Sequence, residues 1–107
     1  MKNSMSSIKI RTKQEDGLTI VRMLITHPME TGRRRDDLTG KTIPAHFIRE
    51  VRIEHNQRLV ASCELSTGVS RNPYISLRFR GGQPADSICV TWTDNLGNTD
   101  SAETTIA

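Results

Sequence analysis

Aromatic residues are scarce in this chain of 107: Phe47, Tyr74, Phe79 and Trp92 are the whole set. A core must therefore rest on Ile, Val, Leu and Met, and no series of rings is present on which nucleic-acid bases could stack. Cysteine is scarcer still. Cys63 and Cys89 are too few for a metal set or a disulfide framework. Strand parity puts Cys63 on a core face and Cys89 on the opposite one, so a bridge between them is not expected. No apolar run reaches the length of a membrane span or a secretory signal core, and Met1 to Ser7 is polar; these residues alone point to the cytoplasm. No segment keeps a 3.6-residue apolar period. A glycine-rich phosphate cradle is also missing, because Gly81-Gly82 follows a strand and opens no helix.

What is present is alternation. Ile8, Ile10 and Thr12 alternate with Lys9, Arg11 and Lys13, an edge-like strand whose charged face discourages stray pairing. Asp16-Gly17 supplies a hairpin turn into a second strand, Leu18 to about Thr26, whose apolar residues on both faces predict burial on both sides near its end. His46 to His55 reads as a third strand with Phe47, Val51 and Ile53 inward and Ile48 outward. Leu59, Ala61, Cys63 and Leu65 give a fourth of the same parity, Ile75, Leu77 and Phe79 a fifth, and Ile88, Val90 and Trp92 a sixth. Asp94 to Asn98 turns the chain into a last, Thr-rich strand. About seven short strands predict one all-β domain, residues 8–107: an immunoglobulin-like antiparallel β-sandwich behind a mobile tail, 1–7. Trp92 is the expected core anchor, with Leu77, Phe79, Phe47 and Ile53 around it.

The exception to alternation is the long loop between strands two and three, from Leu24 to Ile48. It holds His27 and His46, Pro28 and Pro44, Gly32 and Gly40, and a charged block from Arg33 to Asp37. Long loops on rigid scaffolds are where function concentrates. His27, Glu30 and His46 are donor types for a metal, but they lack a recognisable ligand spacing, and each histidine adjoins a proline or a strand end where imidazole commonly bonds backbone. Cys63 with a histidine would need an exposed, low-pKa thiol, whereas Cys63 reads as core. Arg33, Arg34 and Arg35 are followed by Asp36 and Asp37, which cancel most of the field a phosphate site needs. The net charge of +3 and pI near 9.2 leave a free-standing anion- or nucleic-acid-binding domain as the alternative to a protein-binding module. No pair of acids suited to acid–base catalysis is visible, so the residues favour a binding module over an enzyme, with no cofactor.

The run Leu24-Ile25-Thr26-His27-Pro28-Met29-Glu30-Thr31-Gly32, continued through Gly40 and Ile43-Pro44-Ala45-His46-Phe47-Ile48, closely resembles the SoxZ family of thiosulfate-oxidation carrier subunits. Asn72-Pro73-Tyr74, the strand Ser76 to Arg80, and Trp92-Thr93-Asp94 to Gly97 are similar too. The resemblance implies a non-catalytic subunit that forms a tight heterodimer with SoxY, whose glycine-flanked tail cysteine carries covalent sulfur intermediates while separate processing enzymes make transient contacts. It implies no nucleic-acid or membrane partner. It also implies a periplasmic location, reached by export while docked to a partner bearing a twin-arginine signal. For that heterodimer, Met29, Phe47, Ile48 and Tyr74 are expected to form the apolar centre of the contact and Arg33, Arg34 and Arg35 its polar rim.

Overall fold

The computed structural model describes residues 6–107. Strands β1 (Ile8–Glu15), β2 (Leu18–Ile25), β3 (Ile48–His55), β4 (Arg58–Glu64), β5 (Tyr74–Arg80), β6 (Ser87–Asp94) and β7 (Thr99–Thr105) follow one another along the chain. They form two antiparallel sheets, ordered β1-β2-β5 and β4-β3-β6-β7. The molecule is an all-β sandwich, as the period-two pattern predicts. An antibody constant domain keeps its fourth strand in the sheet of the first two; here β4 pairs with β3 in the larger sheet.

Two hairpin turns explain the local pairings. Asp16 and Gly17 have φ of 53° and 79°, and Asn56 and Gln57 have φ of 49° and 70°, the left-handed pair that a two-residue turn between twisted strands requires. Gln57 adopts it without glycine. Asn56 helps by accepting the Ser87 N–H through Oδ1 at 2.8 Å.

Alternate residues of the two sheets meet in the middle: Val21, Met23 and Ile25 face Val51, Ile53, Val90 and Trp92. The Trp92 indole N–H donates to the Ser7 hydroxyl at 2.9 Å, which gives its polar edge a partner inside the core. Ser7 in turn donates from its hydroxyl to Asp100 at 2.6 Å. Ser6 and Ser7 are thus tied to the sandwich, not part of a loose tail, and the remainder of the expected tail, residues 1–5, lies outside the described residues.

Three orientations differ from the sequence reading. Ile48 is 0% exposed, not outward, because the pairing of β3 with β6 slips between Ile48 and Glu50, and a bulge turns both Ile48 and Val51 inward. Leu59 is exposed; a second slip between Ile53 and Glu54 sets it opposite Glu54. On β2 only one face is covered, and Leu24 is left 40% exposed. Cys63 lies opposite Val51 and Cys89 on the other face, both half-buried and unpaired, in line with their parity.

Candidate functional site

The loop between β2 and β3 is an ordered arm. Glu30 and His46 exchange backbone bonds of 2.6 and 3.0 Å, the Ile43 N–H donates to the Arg34 carbonyl at 2.7 Å, and the Asp36 N–H to the Lys41 carbonyl at 2.8 Å. At the tip the Asp36 carboxylate accepts the Leu38 and Thr39 N–H groups at 2.7 and 3.2 Å, which fixes the turn. Arg34 binds Glu30 through two parallel bonds, Nε to Oε1 at 3.1 Å and Nη2 to Oε2 at 2.6 Å. That guanidinium holds the Glu30 carboxyl below its usual range. Arg33 and Arg35 remain exposed.

Three polar side chains grip the roots of this arm. Asp94, the last residue of β6, is buried. Its Oδ2 accepts from His27 Nε2 at 3.1 Å, His46 Nε2 at 2.7 Å and Asn98 Nδ2 at 3.1 Å. Its Oδ1 accepts the Leu96 and Asn98 N–H groups at 3.0 and 2.8 Å. Burial pushes the Asp94 carboxyl up, but the bonds from His27, His46 and Asn98 outweigh burial and hold it well below the ordinary carboxylate value. Asn95 accepts the Phe47 N–H at 2.8 Å and donates to the Ala45 carbonyl at 3.0 Å. Asn72 accepts the His27 N–H at 2.9 Å.

His27, His46 and Asp94 bring three ligand-type atoms within 4.8 Å of one another, so a metal ion is the obvious test. The His27 ring fails it. Its Nδ1 accepts the Met29 N–H at 3.1 Å, which puts the ring proton on Nε2, aimed at Asp94. A metal on Nε2 would need that proton on Nδ1, where ligating histidines donate to an acceptor; here Nδ1 faces a donor. Glu30, the third residue that composition suggested as a ligand, is occupied by Arg34. The cluster is a closed polar knot.

Residues 8–105 match the family described as sulphur oxidation protein SoxZ. The chain belongs to the SoxZ family. No curated protein sequence matches it significantly. Among solved structures it is similar to two variants of superoxide reductase (neelaredoxin) from Ignicoccus hospitalis, at 15% and 16% identity, each with TM-score 0.67 and coverage of 94% of this chain and 78% of that one. A hypothetical protein from Pyrococcus horikoshii OT3 matches at 14% identity and TM-score 0.64, covering 100% of this chain and 91% of that one. Identities this low show a shared sandwich and carry no chemistry.

The string that carried the resemblance to SoxZ is a folding device. His27 joins the knot, and Met29 takes a left-handed backbone, φ 49°, with its side chain 5% exposed in the core and its sulfur accepting the Ile48 N–H at 3.3 Å. Gly32, φ 86°, packs on Ala45, whose Cβ would lie 3.2 Å from a side-chain carbon added there. Met29 and Ile48 were expected at a partner contact because the loop gave them no core to enter; the arm's fold supplies one, and both are removed from that surface. Of the others, Phe47 lines a pocket of about 480 Å³ with Arg49, Glu50, Glu64, Leu65 and Thr93 on the larger sheet. Tyr74 stands on the outer face of the smaller sheet, beside Lys9, Arg11, Arg22 and Leu24. The seven do not form one patch. Asp94 and Asn95 stand in the sequence as turn residues and Asn72 only as part of a matching string; the one signal in the sequence is an Asp closing an apolar strand in a domain whose long loop holds two histidines.

Proposed function

We propose that this chain is the non-catalytic half of a sulfur carrier pair: it binds and presents a SoxY-like polypeptide whose tail cysteine carries sulfur intermediates of thiosulfate oxidation in the periplasm. The observation that carries this reading is the SoxZ match over residues 8–105, on a scaffold whose His27–His46–Asp94 cluster is taken up with holding a loop. Members of a Sox system without reactive groups contribute by binding those that have them. Phe47, Arg33 and Arg35, with side chains at least partly open to solvent, and Arg34, tied to Glu30, are the remaining contact candidates, and Tyr74 stands apart from them on the smaller sheet.

A redox enzyme, the activity in the name of two structural neighbours, is disfavoured by the same knot, since His27 has no free lone pair to offer. Co-expression with a cysteine-tailed partner, followed by intact-complex mass measurement, tests the proposal. A stable one-to-one complex is expected. Phe47→Asp, at a site outside the fully buried core, should reduce co-purification; a complex undiminished by it would remove that surface from the account, and no complex at all with the unaltered chain would remove the account itself.

A further inference from the structure

The outer face of the β1-β2-β5 sheet carries Lys9, Arg11 and Lys13 on β1, Arg22 on β2, and Arg78 and Arg80 on β5. Their one acidic neighbour is Glu15, bound to Lys13 at 3.5 Å. The register sets them in rows: Lys9 by Leu24 by Tyr74, Arg11 by Arg22 by Ser76, Lys13 by Ile20 by Arg78. Arg11 and Arg22 are therefore directly opposite, a like-charge pairing that works against the isolated sheet. The larger sheet is the reverse. Its outer face holds Glu50, Glu54, Glu64 and Glu103 against Arg49 and Arg52, so the smaller sheet's outer face is the more basic of the two.

Two shallow hollows of about 270 Å³ each flank Arg22. One is lined by Lys9, Arg11, Leu24 and Tyr74, the other by Ile20, Ser76 and Arg78. Leu24 and Tyr74 are 40% and 61% exposed, apolar surface that no other described element covers. Arginine beside an aromatic and a leucine is interface composition, and its planar fork matches carboxylates.

We propose that this face docks the acidic surface of a second protein, in a contact separate from the tight partner of the preceding section. A protein fits better than nucleic acid: the face is a flat sheet with one aromatic ring, where single-strand binders use a groove and several rings. The opposite, acidic sheet would also repel a phosphate polymer or an anionic membrane wrapped around the molecule. Carboxylates of the partner enter the two hollows, relieve the Arg11 and Arg22 repulsion, and set a leucine-sized side chain against Leu24 and Tyr74.

The test uses the full chain and a fluorescein-labelled peptide alternating glutamate with leucine, titrated by anisotropy, with labelled single-stranded DNA and phosphatidylglycerol vesicles as rival probes. Saturable peptide binding is expected, weakening at least about tenfold between about 0.05 and 0.2 M salt. Amide shifts should cluster on Arg11, Arg22 and Ser76. Arg11→Glu with Arg22→Glu should abolish the binding while leaving the fold and the partner complex intact, because both side chains point outward. Since the shift map needs only the unaltered chain, a poorly folding variant does not spoil the test. Shifts confined to Arg33–Arg35, peptide affinity unchanged by the double substitution, or tighter binding of DNA or vesicles would each overturn the inference. So would a concentration-dependent self-association lost in the same variant, since the occupant would then be a second copy through its acidic face.

Discussion

Asp94 does at the scale of one side chain what a bound metal does elsewhere: it gathers groups from three places and fixes them. Breaking such a buried set leaves His27, His46 and two backbone N–H groups short of an acceptor, so Asp94→Ala should cost about 3–5 kcal/mol in urea denaturation. Its pH signature follows from the direction of the shift. With the native carboxyl depressed, the stability it adds is fully present above about pH 4, the ordinary carboxylate value, and drains away as the pH falls below that. Asp94→Asn should flatten that acid limb of the stability profile; an unchanged limb would mean the knot carries no charge. Trp92 was legible from alternation alone, and Trp92→Ala should lose about 3–5 kcal/mol. Asp94 was not, because a carboxylate at a strand end reads as solvated until its histidine partners are known to converge on it from positions 48 and 67 residues away.

Elements were easier to read than their joints. Period two located every strand within about three residues, because one covered face forces alternation. It missed the two register slips, since a bulge adds a residue without changing composition, and so it reversed Ile48 and Leu59. The arm was harder still. Its cross-bridges join Glu30 to His46 and Arg35 to Thr42 through backbone groups that any residue supplies. Asn95 clamps one root of the arm by two bonds, and Asn95→Ala should cost about 1–3 kcal/mol while speeding amide exchange from 30 to 46 more than in the sheets. After β5 the chain turns at Gly81 and Gly82, φ 96° and 86°. A Cβ at Gly82 would press on the buried Thr19 hydroxyl, whereas one at Gly81 meets nothing. Gly82→Ala should therefore lower the thermal midpoint more than Gly81→Ala, both being strained by φ.

For the whole molecule, the sandwich and the SoxZ membership were both readable, the first from pattern and the second from a few exact strings. The surface was only half readable: the charged outer residues of β1 and β5 could be named, but their concentration on one sheet depends on which strands pair. The resulting object is polarised, with a basic sheet, a sheet richer in glutamate and a hydrogen-bonded arm, and its own thiols at Cys63 and Cys89 are half-buried. Such a body fits the proposed role of holding and presenting another chain. The most direct measurement is the intact mass of each subunit after the purified complex has been loaded with thiosulfate by its processing enzymes. The account predicts sulfur adducts on the partner's tail cysteine alone, with this chain at its unmodified mass; an adduct on Cys63 or Cys89 that turns over with substrate would contradict it.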